Sequence, residues 1–194
     1  MSPTSRGRRP KRKAAGPRNR RRDEDAPLAA MLREIGHDLA DAADALDAEL
    51  IVSVLAGSWW DLELGDADPE VEFGERLVAY AAGRRNSRPA LALLRVMAEL
   101  GTPAQRKAAA AGAAALAAAG MPDPAWADDL RTVQHTGSWA YGDVFGDQTT
   151  VLLAFDRPRR PHGVMVLVDH TLGDIAKDAF VVDDPGETLG DMRA

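Results

Sequence analysis

The order of two hydrophobic patterns along the chain constrains its fold more than any other feature. Between residues 27 and 120, apolar side chains recur every three or four positions, which is typical of amphipathic helices. After Pro122 the pattern changes to short runs of β-branched and aromatic residues separated by Gly, Pro and Asp, as in strands. Helices followed by strands, without alternation, predict an α+β protein and argue against a doubly wound sheet.

Five helices are predicted in the first half of the chain. The first starts at Pro27 and is shortened by Gly36, and the second covers residues 38–56. The other three are predicted over 69–83, 87–100 and 103–119. Ser87 and Thr102 are predicted N-caps, because their hydroxyls can accept hydrogen bonds from free N–H groups of the first turn. The short turns between these helices favour antiparallel packing, as in a small bundle.

A small antiparallel sheet is predicted in the second half. Its strands are expected over 133–141, 151–155, 164–168 and 179–182, with the last two paired. Residues 157–163, which include three arginines and two prolines, are expected to form an exposed hairpin connection. The predicted organisation is a disordered basic arm over 1–25, a helical region over 26–121, a β-rich region packed on or beside the helices over 122–184, and a frayed tail over 185–194.

The first 22 residues carry ten basic side chains and no acidic one. The remaining chain holds 14 basic and 30 acidic residues, a net charge of −16. A segment this rich in like charge and this poor in apolar residues cannot offset its ordering entropy, so it is predicted to be disordered. Arginine-rich segments of this kind bind phosphates without needing a fold. The predicted nucleic-acid-contacting residues are Arg6, Arg8, Arg9, Lys11, Arg12, Lys13, Arg18, Arg20, Arg21 and Arg22.

Two alternatives to nucleic-acid binding remain open for the arm. It can act as a solubilising tail, or it can fold back on the acidic body, beginning with Asp23, Glu24 and Asp25. The arm contains no aromatic residue to stack on bases, so sequence-specific recognition of single strands is not indicated. The negative body would itself repel phosphate. Contact with RNA or DNA would therefore depend on the arm.

The composition excludes several classes of function. The chain has no cysteine, which rules out disulfides, thiolate zinc sites, iron–sulfur clusters and cysteine nucleophiles. It contains no phosphate-binding glycine loop, nucleophile elbow or dinucleotide fingerprint, and no metal or cofactor is predicted. No apolar stretch is long enough to cross a bilayer, and no apolar segment of an export signal follows Arg8 and Arg9. We therefore expect a cytoplasmic protein.

Two pairs of neighbouring residues are candidate sites. Asp169 and His170 follow an apolar strand, where a rigid element can present an acid and a base, although adjacent strand residues point to opposite faces. The simpler alternative is a polar strand end that leads into the turn 171–174. Trp59 and Trp60 cannot both face inward on one helix, so one of them is a candidate contact for a partner.

The sequence supports two functional hypotheses. In the first, the chain is a non-enzymatic binding or adaptor protein whose acidic body engages a protein partner, while the arm attaches it to RNA or DNA without sequence preference. In the second, it is an enzyme, of hydrolytic or other class, with a site near Asp169 and His170. The uneven distribution of charge favours the first hypothesis.

Overall fold

A computed structural model describes residues 17–58, 68–158 and 160–193. Its first half is helical, with α1 (Pro17–Asp41), α2 (Ala45–Gly57), α3 (Pro69–Ala82), α4 (Arg88–Leu100) and α5 (Pro103–Ala118). A 3₁₀ turn at Ala127–Arg131 precedes β1 (Gln134–Gly142), β2 (Gln148–Asp156), β3 (His162–Asp169) and β4 (Ile175–Val182), and α6 (Pro185–Arg193) follows the strands. The predicted α+β class, with five helices before an antiparallel sheet, is confirmed.

The helices of the first half share one hydrophobic core, centred on α4. Leu91, Leu93 and Leu94 of α4 are fully buried, because α1, α2, α3 and α5 all pack against this helix. Trp126, just before the 3₁₀ turn, completes the core from outside the bundle. No helix in the described ranges is long and apolar enough to cross a membrane.

The predicted boundary between the first two helices is wrong. α1 continues through Gly36 to Asp41, and α2 starts only at Ala45. Glycine is needed inside α1 because a Cβ at position 36 would collide with the ring of Pro89 on α4. The break comes instead at Asp44, whose carboxylate accepts a hydrogen bond from the N–H of Asp47 (3.0 Å) and so caps α2.

α1 also begins earlier than the sequence pattern predicts, at Pro17 instead of Pro27. Pro27 lies inside the helix, where it removes one backbone hydrogen bond. The residues before it are dominated by arginine, which is a good helix former, so the helix extends past the proline. α1 thus overlaps the end of the predicted arm. Residues 1–16 lie outside the described residues, and their disorder stays a prediction.

The four strands form one sheet in the order β1-β2-β3-β4, and each strand is antiparallel to its neighbours. The β2–β3 loop lies at one end of this sheet. The β1–β2 and β3–β4 turns lie at the other end, where Gln148 pairs with Asp169. The four predicted strands are confirmed, and each extends beyond its predicted limits on at least one side.

The loop between β2 and β3 contacts helix α2. We call this contact between the sheet and the helices the junction. The prediction of a hairpin connection is confirmed, since the loop joins two paired strands. Its predicted exposure is wrong at Arg157, whose side chain is only 2 % exposed. Arg157 donates two hydrogen bonds to Glu49 on α2 (2.9 and 3.0 Å), and Arg160 donates to Asp47 on the same helix (2.6 Å). The loop has the composition of an exposed turn, but its arginines pack against α2 because they form hydrogen bonds with the acidic residues of that helix.

The tail after residue 184, predicted to be frayed, forms α6 instead. Asp184 accepts hydrogen bonds from the N–H groups of Gly186 and Glu187 (both 2.9 Å), with Pro185 in the first turn. α6 packs on β2. The prediction failed because a short helix with two glycines has little intrinsic stability and depends on this cap and on tertiary packing.

Candidate functional site

Two turns meet at the end of the sheet that is remote from the junction. The turn Asp143–Asp147 joins β1 to β2, and the turn His170–Asp174 joins β3 to β4. The N–H of His170 donates a hydrogen bond to the carbonyl of Asp147 (2.8 Å), so the turns lie side by side. We call this pair of turns, with the strand residues next to them, the distal end.

Asp143 fixes the shape of the first turn. One of its carboxylate oxygens accepts hydrogen bonds from the N–H groups of Phe145 (2.8 Å) and Asp147 (3.1 Å), and the other accepts from Gln148 (2.8 Å). Loss of hydration opposes ionisation of Asp143, but the backbone N–H groups outweigh it and hold its pKa below the ordinary value. Gly146 adopts the left-handed backbone conformation that the turn requires (φ +76°).

This turn exposes two large apolar side chains. Val144 is 92 % exposed and Phe145 is 85 % exposed, although the backbone beneath them is tied to Asp143. Leu172 adds a third exposed apolar side chain from the neighbouring turn, and Tyr141 and Ile175 are exposed on the strands beside them. A fixed backbone that displays a group of apolar side chains to solvent is a feature of protein-binding surfaces.

Asp169 has a structural role in the second turn. One carboxylate oxygen accepts hydrogen bonds from the hydroxyl (2.7 Å) and N–H (3.0 Å) of Thr171, and the other accepts from Gln148 (3.2 Å) and Lys177 (3.4 Å). The Thr171 hydroxyl, assisted by the other donors, lowers the pKa of Asp169 to about 2. Because its lone pairs are occupied by the turn, Asp169 is a poor candidate for general acid or base catalysis.

His170 belongs to a different hydrogen-bonded group. Its Nδ1 lies 2.6 Å from Oδ1 of Asp174, and its Nε2 lies 2.8 Å from Oγ1 of Thr149. Hydroxyl, imidazole and carboxylate in this order are the arrangement that activates a hydroxyl nucleophile in many hydrolases. The carboxylate of Asp174 is 78 % exposed, whereas the aspartate of such triads is ordinarily buried.

The structure therefore separates the two predicted site residues of the β half. Asp169 holds the turn, and His170 contacts Thr149 and Asp174. Trp59 and Trp60 lie outside the described residues.

The predicted arm contacts fall in two groups. Arg6, Arg8, Arg9, Lys11, Arg12 and Lys13 lie outside the described residues. Arg18, Arg20, Arg21 and Arg22 lie in the first turns of α1. The helical backbone places these four residues within two turns of one another.

Val144, Phe145 and Leu172 were not identified from the sequence. The available signal was the placement of two large apolar residues between Gly-Asp pairs, at 142–143 and 146–147. Such pairs indicate turns, and apolar residues at the tip of a turn have no core to join. The turn after β3 lies beside the turn before β2 because these two strands pair. No pattern within either turn predicts that they are neighbours.

Four cavities lie in the helical half of the described chain. Their volumes are about 460, 520, 380 and 240 Å³, and they are lined by residues of the helices, of the turns between them and of the loop 122–126, so none of these four reaches a strand. Within the described ranges, no three His, Asp or Glu side chains are grouped so as to hold a metal ion. None of these four cavities lies at the distal end, where Val144, Phe145 and Leu172 are exposed to solvent.

The distal end carries exposed apolar side chains, and the N-terminal segment carries a high density of basic residues. Comparison with family models, with curated proteins and with solved structures gives no match, so the functional argument depends on the chain's own residues.

Proposed function

We propose that this chain is a non-enzymatic adaptor protein that binds a protein partner through its distal end. The observation that carries the proposal is the exposure of Val144 and Phe145 on a turn whose backbone is fixed by Asp143. Exposing such side chains to water is unfavourable, and burying each against a partner contributes roughly 1.5–3 kcal/mol. A fixed turn also loses little conformational entropy on binding, which favours affinity.

The charge around these residues defines the chemistry of the partner. Asp143 and Asp147 flank Val144 and Phe145 in the first turn, Asp174 lies in the second turn, and the body as a whole is strongly acidic. A complementary partner presents an apolar pocket with lysine or arginine at its rim, because complementary charge accelerates association and disfavours other surfaces. An anionic membrane surface would be repelled by the same carboxylates.

The basic arm gives the adaptor its second contact. Residues 1–22 carry ten positive charges and no negative one. They are more than 100 positions before the turns of the distal end in the sequence. Arginines and lysines at this density bind phosphate by releasing counterions, irrespective of sequence. The proposed adaptor holds its protein partner near RNA or DNA.

A second candidate function, ester or amide hydrolysis, is favoured by the contacts of His170 with Thr149 and Asp174. In that function, Thr149 would be the nucleophile, His170 the general base and Asp174 the residue that orients the imidazole. The test is hydrolysis of an activated ester by the full chain and by Thr149→Ala. Activity that Thr149→Ala abolishes would favour the enzyme, whereas equal background rates favour the adaptor.

Photo-crosslinking tests the adaptor directly. A photoreactive amino acid replaces Phe145 in the full chain, and the matched control carries it at Val54, which is also largely exposed but lies on α2. We expect one protein to be captured from position 145 and not from position 54. After that protein is identified and purified, Phe145→Ser should weaken its binding at least about tenfold, since truncated interface anchors commonly cost more than 1.4 kcal/mol.

A further variant separates the shape of the turn from its apolar side chains. Asp143→Ala keeps Val144 and Phe145 but removes the acceptor of three backbone hydrogen bonds, so it should also weaken binding. If the purified partner binds Phe145→Ser as tightly as it binds the unchanged chain, the adaptor proposal is wrong. The same adducts at positions 145 and 54 would contradict it equally.

A further inference from the structure

The largest of the four cavities lies between α1, α4 and the loop 122–126. Its volume of about 520 Å³ falls in the range that is common for small-molecule sites. Ten of its twelve lining residues are apolar. Among them, Leu39, Ala92 and Trp126 are almost fully buried, so they form the inner wall. The cavity thus has the size and the walls of a site for a small apolar group.

The walls of this cavity are held in place by the protein's own contacts. Arg95 on α4 donates two hydrogen bonds to the carboxylate of Asp123 in the loop (2.7 and 2.9 Å). Pro122 and Pro124 restrict the backbone of the same loop, and Pro89 lines the cavity from α4. A ligand would therefore enter a site that is already formed, and its binding would cost little conformational entropy.

Arg88 places one unpaired positive charge at the mouth of the cavity. It is exposed, and it lines the cavity from the first turn of α4. Within the described part of the chain, its guanidinium forms no hydrogen bond or ion pair. The one carboxylate that lines the cavity, Asp123, is already bound by Arg95. The Arg88 guanidinium is therefore available to an anion from outside the chain.

The charge of this cavity differs from that of the other three. Glu34 and Asp38 line the cavity of about 460 Å³, and Asp38, Asp41 and Asp47 line the one of about 380 Å³. The cavity of about 240 Å³ has no charged lining residue. Of these four cavities, only the largest is lined by a cation. It is thus the one among them to which an anionic group would be attracted.

We propose that this cavity binds a small organic acid that carries one carboxylate on an apolar chain or ring. The carboxylate pairs with Arg88, because a guanidinium can donate two parallel hydrogen bonds to it. The apolar part lies against Leu39, Ala92 and Trp126. A second negative charge, as on a phosphate, would be repelled by the acidic body. The site uses no residue of the distal end, so it stands independently of the adaptor proposal.

Isothermal titration calorimetry of the full chain tests this site at about pH 7, where carboxylic acids are ionised. The probes are octanoate, which has an apolar chain, and cinnamate, which has an apolar ring. Octanol and cinnamyl alcohol are their neutral counterparts. We expect at least one acid to bind saturably and at least about tenfold more tightly than its alcohol, because only the acid forms a charge-assisted hydrogen bond.

The variant Arg88→Gln removes the proposed charge. It should weaken binding of the acid about tenfold and leave binding of the alcohol nearly unchanged. Arg85→Gln is the matched control, because Arg85 is also exposed, lies three positions earlier and lines none of the four cavities. It lowers the net charge of the chain equally and should bind the acid normally.

Two alanine substitutions locate the site. Ala40 and Ala30 are both exposed residues of α1, but Ala40 lines the proposed site and Ala30 lines the cavity of about 460 Å³. Ala40→Leu should weaken binding of acid and alcohol alike, because the larger side chain occupies the mouth of the site. Ala30→Leu should change neither. Leucine is a good helix former, so both variants should keep the fold, and circular dichroism verifies this.

Acid binding that is weakened by Arg88→Gln and by Ala40→Leu, but by neither control, would support the proposal. Absence of saturable binding by both acids would overturn it, and so would equal affinities of each acid and its alcohol. Equal binding by Arg88→Gln and Arg85→Gln would show that Arg88 does not hold the carboxylate. An effect of Ala30→Leu as large as that of Ala40→Leu would show that the ligand lies outside this cavity. Either result would contradict the proposal.

Discussion

Hydrogen bonds from Thr171, Gln148 and Lys177 lower the pKa of the Asp169 carboxyl group. Its pKa of about 2 lies well below the value of about 3.9 for an unfolded aspartate, so the folded state binds this proton more weakly. The carboxylate therefore contributes stability that is fully present above about pH 4 and is lost as the pH falls towards 2.

The variant Asp169→Asn tests this contribution. Thermal unfolding of both chains is followed between about pH 7 and pH 2. The unchanged chain should melt at the higher temperature at neutral pH, and the difference should shrink as the pH falls below about 4. Asp156→Asn, at the exposed end of β2, is the control and should show a much smaller difference. A difference that stays constant down to pH 2 would mean that Asp169 is not held as a carboxylate by its neighbours.

Individual helix ends illustrate what local sequence can predict. Thr102 accepts a hydrogen bond from the N–H of Gln105 (3.4 Å), and the Gln105 side chain accepts one from the N–H of Thr102 (3.0 Å). This reciprocal pair is a capping box, formed by residues three positions apart. Ser87 caps α4 with a single bond, which its hydroxyl accepts from the N–H of Ala90 (3.3 Å). Both caps were predicted because donor and acceptor lie within one turn of the chain.

We predict that Thr102→Ala destabilises the protein by about 1 kcal/mol, the usual cost of removing an N-cap hydroxyl. Thr102→Ser keeps the hydroxyl and should retain most of the stability. Urea unfolding of the three chains measures the difference from the shift in midpoint at constant slope. Equal midpoints for the alanine and serine variants would show that the hydroxyl contributes nothing to the end of α5.

Elements whose contacts are distant in sequence were predicted poorly. Gly36 resembles a helix end, but it stays helical because Pro89 of α4 leaves no room for a Cβ. Arg157 resembles a loop residue, but Glu49 binds it from 108 positions away. The distal end also depends on contacts between residues distant in sequence. The N–H of His170 can reach the carbonyl of Asp147 only when β2 and β3 are paired. The strands could be predicted from the sequence. The side chains that lie close together at the ends of the strands could not be predicted.

At the scale of the whole molecule, the helical half and the sheet are joined by charge more than by apolar packing. The hydrophobic core cluster contains no strand residue, and the junction depends on Arg157 and Arg160 with their acidic partners. Burial raises the pKa of Glu49 even though Arg157 opposes the shift, so the pair does not fully recover the hydration that Glu49 loses. The pairing fixes where the sheet attaches to α2.

The same uneven charge governs the last prediction, which concerns the arm. Removing residues 1–16 deletes six of the ten cations and leaves α1 complete, because the helix begins at Pro17. If those six cations neutralise about six phosphates, affinity for duplex DNA should fall about 10³-fold between 50 and 200 mM salt, with slight sequence preference. The shortened chain should bind far more weakly and with a shallower salt dependence.

A salt titration with mixed-sequence RNA and duplex DNA measures this effect for the full chain and for the shortened one. A full-length variant with glutamine at the six positions Arg6, Arg8, Arg9, Lys11, Arg12 and Lys13 is the matched control, since it keeps chain length and removes charge. It should behave like the shortened chain, because phosphate neutralisation depends on the number of cations. Equal binding by all three chains would exclude a contact through these six cations. No binding by the full chain at about 50 mM salt would exclude the nucleic-acid contact and leave the arm as a solubilising segment.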